Sequence, residues 1–228
     1  ALPVLVEGAA ELLAPTRCAG CDLPGALLCE RCRRELHAID PVTACPRCGA
    51  PVGARWCGEC AGATFAFEAV RCAGVFEPPL SRAVRLQKDA SERRLAPVLA
   101  GLALEALADW RGWPDAVVPV PPSPRALARR GFDHTAVLAC ELAAHLGAPA
   151  MDALVCLPRR DQRSLSRRER IANAAGSLRP MPGVALPPRI LVIDDVMTTG
   201  ATLEAAARAL REGGAHAVRA FAVARACG

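Results

Sequence analysis

Apolar residues follow two different patterns along the 228-residue chain. From residue 62 onward, short runs of β-branched and other apolar residues alternate with longer stretches in which apolar residues recur every three or four positions. The short runs predict strands at residues 68–76, 116–120, 154–157, 190–193 and 217–224. The longer stretches predict helices at residues 81–86, 90–110, 133–146, 164–175 and 202–212. This alternation is typical of an α/β fold, a mostly parallel sheet flanked by helices.

The first 61 residues lack this alternation, because prolines and paired cysteines interrupt them. Residues 1–16 predict a short leading helix that ends near Pro15; Glu7, Glu11 and the absence of a basic start distinguish it from a secretion signal. No segment has the roughly 20 consecutive apolar residues of a membrane span, so we expect a cytoplasmic protein. The pattern predicts a leading helix and cysteine-rich module at residues 1–61 and an α/β domain at residues 62–228.

Eight of the twelve cysteines form four Cys-x-x-Cys pairs. The pairs are Cys18/Cys21, Cys29/Cys32, Cys45/Cys48 and Cys57/Cys60. Each pair can present two thiolates to one tetrahedral zinc ion, and two pairs complete a closed structural site. Gaps of seven and eight residues make two adjacent zinc ribbons the simplest assignment, while joining the first pair to the third stays open. A redox role or coincidental core thiols are the alternatives to this double zinc ribbon.

The formal net charge of +5 suggests attraction to polyanions such as nucleic acid. Two four-thiolate zinc sites would each carry −2, which lowers the total to about +1. Overall charge therefore gives little support to nucleic-acid binding, and only local clusters of arginine can support it.

The most informative segment spans residues 190–202, where four apolar residues lead into two aspartates and a Thr-Thr-Gly turn. A buried strand would carry the aspartates to the carboxyl edge of the sheet, where open α/β folds bind ligands. A glycine and the start of the next helix would offer backbone amides to a phosphate. The predicted sugar- and phosphate-binding residues are Asp194, Asp195, Val196, Met197, Thr198, Thr199, Gly200, Ala201 and Thr202.

Two other interpretations compete for this segment. A strand that ends in paired aspartates also occurs in P-loop ATPases, but those proteins need a Gly-x-x-x-x-Gly-Lys-Ser/Thr loop. The chain has a single lysine, Lys88, which follows Gln87, so that loop is absent. A simple capped helix after a solvated aspartate pair is the remaining alternative.

Residues 190–202 are similar to the signature of type I phosphoribosyltransferases, and the chain as a whole resembles the ComF family of ComFC-like competence proteins. Further family-like segments lie at residues 45–49, 118–121, 129–134 and 162–173. Asp133 and His134 replace the Asn-Gln of the family motif, and His134 is the histidine worth testing. The resemblance implies a phosphoribosyltransferase-like domain after a cysteine-rich finger. It also implies binding of phosphoribosyl pyrophosphate with Mg²⁺, either for transfer to an unidentified acceptor or for sensing.

The resemblance assigns roles to basic residues as well. The loop after the strand at residues 116–120 would meet the pyrophosphate, and its candidate ligands are Pro122, Ser123, Arg125 and Arg130. Lys88 matches a basic segment beside the family's active site. Residues 159–170 hold six arginines and stand in the place of the superfamily's mobile loop; a solvated face of ion-paired arginines is the alternative.

A role in DNA uptake during natural competence is the biological expectation that the resemblance carries. Residues 159–170, with Arg31, Arg33 and Arg34, could contact single-stranded DNA or competence partners such as a helicase or a recombination mediator. The chain has no tyrosine and five phenylalanines, so stacking of bases on aromatic rings has little support.

Overall fold

The computed structural model describes residues 15–53, 57–58, 60–157 and 176–227. The strands are β1 (Val70–Val75), β2 (Ala116–Pro119), β3 (Leu154–Cys156), β4 (Leu178–Pro180), β5 (Arg189–Met197) and β6 (Ala217–Arg225). The helices are α1 (Glu30–Arg34), α2 (Leu80–Asp89), α3 (Leu95–Ala106), α4 (Pro124–Arg130), α5 (His134–Leu146) and α6 (Ala201–Glu212). Residues 1–14 of the predicted leading helix, the whole predicted arginine-rich helix and all of residues 159–170 lie outside the described residues.

Four parallel strands in the order β1-β6-β5-β2 make the central sheet. The inner strand β5 is buried on both faces, which explains why its sequence is a continuous apolar run. Ile190 and Val192 pack on the side of α6, whereas Leu191 and Ile193 pack on the side of α3 and α5. Helices therefore cover both faces, and the predicted α/β fold is confirmed.

Two predicted elements differ from the structure. The strand predicted at residues 154–157 lies outside the central sheet: β3 pairs antiparallel with β4, a strand that the sequence pattern did not predict. The helix predicted at residues 90–110 is shorter, since α3 starts at Leu95 and a 3-10 turn follows at Ala108–Trp110. Pro97 has no amide hydrogen and is tolerated only in the first turn of a helix, which places the start just before it.

The cysteine-rich region packs directly against the sheet. Cys45, Cys48 and Cys60 belong to the same buried cluster as Val192 and Met197 of β5. The amide of Val70 donates a hydrogen bond to Pro46 O at 2.9 Å, which joins this region to the first residue of β1. None of the helices in the described part of the chain is long and apolar enough to cross a membrane.

Candidate functional site

The loop between β5 and α6 (the β5–α6 loop, residues 198–200) turns the chain from the sheet edge into a helix. Gly200 is the N-cap of α6 and has a left-handed backbone, with φ of 78°. A β-carbon here would lie 2.7 Å from Met197 Cε, so the site requires glycine for both backbone and space. The amides of the first helical turn have no partners within the helix and can bind an anion.

Asp195 lies next to the only lysine and to a buried histidine. Its Oδ2 atom is 2.5 Å from Lys88 Nζ and 3.3 Å from His134 Nε2. Its Oδ1 atom accepts a hydrogen bond from the amide of Val196 at 2.9 Å. The neighbouring Asp194 accepts one from the amide of Asp195 at 2.8 Å. Two carboxylates and two nitrogen groups thus meet at the end of β5.

The pKa values of the two aspartates move in opposite directions. Burial by itself raises the pKa of Asp195, but the nearby ring of His134 and the positive charge of Lys88 outweigh burial and hold that pKa well below its usual range. Burial, with the negative charge of Asp195, raises the pKa of Asp194 well above the ordinary value. Titratable neighbours separated in this way are frequent at functional sites.

Helices α2 and α5 bring the two nitrogen groups to Asp195. Lys88 lies in the last turn of α2, and the preceding Gln87 donates a hydrogen bond to His134 O at 3.1 Å. His134 is the first residue of α5, where Asp133 caps the helix by accepting from the amides of Thr135 and Ala136, both at 2.9 Å. The set of ligand-binding residues predicted from the sequence includes Lys88 but not His134. His134 could have been included on the ground that it lies in the family-like segment at residues 129–134.

The loop after β2 lies at the same edge of the sheet, because β2 and β5 are parallel neighbours. Ser123 caps α4 by accepting a hydrogen bond from the amide of Ala126 at 3.3 Å. Arg130, at the end of α4, lies 3.4 Å from Asp89, the residue that follows Lys88. Arg125 is exposed, and Pro122 is half-buried. Of the predicted pyrophosphate ligands, Arg130 is therefore the one that contacts the helix carrying Lys88.

Among the described residues, three buried polar atoms at this edge have no hydrogen-bond partner. Within the part of the chain that the structure describes, Arg130 Nε and both ring nitrogens of His134 make no hydrogen bond. The Nε2 atom is close to Asp195 but is not aligned for one. Buried polar atoms are nearly always satisfied in folded proteins, so unpaired ones beside two carboxylates fit a polar, anionic ligand.

The cysteine pairs join as neighbours along the chain. In one group the sulfur atoms of Cys18, Cys21, Cys29 and Cys32 all lie within 4.8 Å of one another, and in the other those of Cys45, Cys48, Cys57 and Cys60 do. The interleaved pairing that the sequence left open is thereby excluded. Separations of 3.7 Å for Cys21–Cys29 and 3.6 Å for Cys45–Cys60 fit a tetrahedral zinc ion, whose sulfur ligands stand about 3.8 Å apart.

The thiols of the group Cys18, Cys21, Cys29 and Cys32 differ in acidity. Burial raises the pKa of Cys18, but hydrogen bonds from the backbone of Cys29, Cys21 and Gly20 outweigh it and lower the value to about 6. Burial and the neighbouring thiols raise the pKa of Cys32 to about 12. A group without metal therefore keeps protons that a zinc ion would displace.

Comparison with known proteins agrees with this architecture. A family model described as a phosphoribosyl transferase domain matches residues 136–226. The chain is 31% identical to the DNA utilization protein YhgH of Salmonella typhi, over 94% of this chain and 99% of that protein. It is 28% identical to competence protein F of Haemophilus influenzae, over 87% and 90% of the two chains. A solved orotate phosphoribosyltransferase from Aeropyrum pernix is similar at 22% identity over 64% of each chain, with a TM-score of 0.36.

The family follows from the matches to the two relatives and from the order of the parts. A cysteine-rich region with two four-cysteine groups comes first. A parallel sheet follows, and part of it lies within residues 136–226, which match the phosphoribosyl transferase domain. Because relatives with DNA-utilization and competence names match over 99% and 90% of their own length, the chain belongs to the ComF family.

Proposed function

We propose that this protein binds phosphoribosyl pyrophosphate together with Mg²⁺ at the carboxyl edge of its sheet. The observation that supports the proposal best is the order of groups there: Asp194 and Asp195, then a glycine-capped helix start. Carboxylates can accept hydrogen bonds from ribose hydroxyls, while the amides at the start of α6 can hold a phosphate.

Each set of residues at this edge then binds a different part of the ligand. The 5-phosphate of the ligand lies on residues 198–202, and Asp194 and Asp195 receive the ribose hydroxyls. We assign Arg130, whose buried Nε has no hydrogen-bond partner among the described residues, to the more distant phosphates, because guanidinium groups bind phosphate oxygens well. Lys88, whose side chain is 29% exposed, holds Asp195 ionised and can reach an incoming phosphate oxygen.

Magnesium prefers oxygen ligands, and the aspartate pair supplies them. When bound with the ligand, the ion neutralises charge on the pyrophosphate. The two groups of four thiolates fit structural zinc, which would fix the cysteine-rich region on the sheet.

Isothermal titration with phosphoribosyl pyrophosphate and Mg²⁺ tests the proposal. We expect saturable binding by the wild-type protein and a loss of at least about tenfold in affinity for Asp195→Asn, which removes the negative charge. Asp152→Asn is the matched control, since Asp152 is an exposed aspartate outside the site. Absence of binding by the wild-type protein, or equal affinities for the two variants, would contradict the proposal.

The same site can serve catalysis or sensing. In a transfer reaction the bond between C1 of the ribose and the pyrophosphate breaks, the pyrophosphate leaves, and an acceptor nucleophile takes its place. The aspartates would then lie beside positive charge that develops on the ribose ring. Release of pyrophosphate in the presence of a cell-extract pool of acceptors indicates a transferase, whereas binding without release indicates a sensor.

The names of the relatives favour a second proposal, a role in DNA uptake or utilisation, through single-stranded DNA or competence partners such as a helicase or recombination mediator. Arg31 and Arg34 of α1 are exposed; Arg31 lies 3.9 Å from Glu35, which caps the end of the helix, and Arg34 lies 3.9 Å from Glu30 of the helix. Such surface pairs are weak, so both arginines can turn to phosphates. A gel shift should show single-stranded DNA binding that weakens with salt and weakens further in Arg31→Glu. Absence of binding at low salt would exclude direct contact.

A further inference from the structure

Arg225, the last residue of β6, connects the second cysteine group (Cys45, Cys48, Cys57 and Cys60) to the β5–α6 loop. Arg225 is buried, with 4% of its surface exposed. Arg225 Nε donates a hydrogen bond to Cys48 O at 2.8 Å, and Nη1 donates to Thr198 O at 2.7 Å. A single planar guanidinium thus spans a predicted zinc ligand and the first residue of the loop. Only arginine has this fork of donors.

A second connection runs through the residues that follow Cys60. The amide of Ala66 donates to Glu204 Oε2 in the first turn of α6 at 2.5 Å. Arg211, further along α6, donates to Ala66 O, also at 2.5 Å. The ring of Phe65 lies against Gly200, where an added β-carbon would stand 3.4 Å from Phe65 Cε1. The start of α6 is therefore held from the side of the second cysteine group.

The first cysteine group (Cys18, Cys21, Cys29 and Cys32) has different neighbours. Gly20, between two of its ligands, accepts a hydrogen bond from Arg82 of α2 at 2.5 Å. A β-carbon at Gly20 would lie 2.7 Å from Pro79, which precedes α2. The first group is thus attached to the start of α2, while the second is attached to the β5–α6 loop.

We propose that zinc bound by the second cysteine group positions the β5–α6 loop through Arg225, so that occupancy of this group sets the affinity for the 5-phosphate of the ligand. The four sulfur atoms would hold the ion, and a bound ion would fix the turn at Cys48. The guanidinium holds the Cys48 and Thr198 carbonyls at a set separation, so the loop amides would keep their direction. Arg225 is a positioning residue, because its contacts are with the loop backbone. The inference rests on the proposed binding of a phosphoribosyl ligand.

Matched serine variants of the two groups test the coupling in the full chain. Cys57→Ser and Cys29→Ser each replace one half-buried ligand, and mass spectrometry should show the loss of one zinc ion from each. With ribose 5-phosphate as the probe in isothermal titration, we expect Cys57→Ser to bind about tenfold more weakly than Cys29→Ser. Equal affinities for the two variants would overturn the inference.

Arg225→Lys and Arg225→Met supply a measurement that does not depend on altering a metal ligand. We expect the affinity for ribose 5-phosphate to fall in both variants, less in Arg225→Lys because it keeps the charge. The affinity for pyrophosphate with Mg²⁺ should stay at the wild-type value, because the proposed function places pyrophosphate beside Arg130 and not on the β5–α6 loop. A parallel fall for both probes, together with a lower melting temperature, would show a general structural role and overturn the inference.

The outcomes separate this inference from the proposed function. If the wild-type protein binds neither ribose 5-phosphate nor phosphoribosyl pyrophosphate, the proposed function fails and the inference fails with it. If the wild-type protein binds both ligands, and the Cys57 and Arg225 variants bind ribose 5-phosphate as tightly as the wild-type protein does, only the inference fails.

Discussion

At the scale of single residues, the environment of Asp195 decides its charge. A carboxyl group this buried would ordinarily hold its proton, since burial disfavours the charged form. Lys88 and His134 reverse that preference from two different helices. The result is an ionised acceptor next to Asp194, whose pKa is raised. A ribose with neighbouring hydroxyls and a bound cation suits such a pair.

Replacing Lys88 should raise the pKa of Asp195. In Lys88→Met the stabilising charge is gone while burial remains, so the carboxyl group should titrate at higher pH in a carbon-detected NMR titration. Arg85→Met is the control, because Arg85 is a cation of the same helix whose guanidinium lies over Phe76. Identical carboxyl titrations in the two variants would contradict the assigned role of Lys88.

The same change has a consequence for stability that depends on pH. A carboxyl group with a lowered pKa in the folded state stabilises the fold above its unfolded pKa of about 3.9, and this contribution is lost as the pH falls through the folded value. Lys88→Met should therefore cost most stability at neutral pH and least in acid. Urea unfolding at several pH values measures the difference, and a cost that grows toward acid pH would have the wrong sign.

Gly200 offers a second test at this scale. Gly200→Ala should lower the free energy of unfolding by about 2 kcal/mol, from the left-handed backbone and from overlap with Met197 Cε. Gly131→Ala should cost only about 1 kcal/mol, since Gly131 has a similar φ of 73° but nothing within 4 Å of an added β-carbon. Urea unfolding measures both, and equal losses would show that the β5–α6 loop has room for a side chain.

At the scale of elements, the ends of helices and strands carry the site, and local patterns predicted several of them well. The strand predicted at residues 190–193 extends to Met197, because β6 continues to pair with β5 as far as Arg225. The start of α5 was predicted at Asp133, which proves to be its capping residue. Strand β4 was not predicted, because its three residues include an exposed arginine and a proline and have no apolar pattern.

The cap of α5 explains why aspartate can replace asparagine in the family motif. Both side chains accept hydrogen bonds from helix amides, so Asp133→Asn should change stability little. Asp133→Ala should cost about 1 kcal/mol, because the amides of Thr135 and Ala136 lose their acceptor. Thermal unfolding distinguishes the two, and an equal cost for both would indicate that the charge rather than the cap matters.

At the scale of the whole molecule, the two four-cysteine groups attach to different parts of one sheet domain. The first contacts the start of α2, and the second lies in the buried cluster that contains Met197 at the end of β5. The cysteine-rich region is therefore part of the packing at the carboxyl edge of the sheet.

Zinc content should follow from this arrangement. We expect two zinc ions per chain by mass spectrometry of freshly purified protein, one for each four-cysteine group. Zinc affinity should fall as the pH falls, because the raised pKa of thiols such as Cys32 favours protons over metal. Competition with a chromophoric chelator at several pH values measures the zinc affinity. A finding that freshly purified protein contains no zinc would refute the assignment of the two groups as zinc sites.

The sequence alone determined the parts of this protein that depend on neighbours along the chain. These are the alternation of strands and helices, the aspartate pair before a glycine-capped helix, and the four Cys-x-x-Cys turns. Only the tertiary structure decided which cysteine pairs join, that Lys88 meets Asp195 across 107 positions, and that Arg225 reaches Cys48 across 177. Local periodicity reports which face of an element is buried, whereas such distant contacts depend on how helices and loops pack against the sheet, which no local pattern specifies.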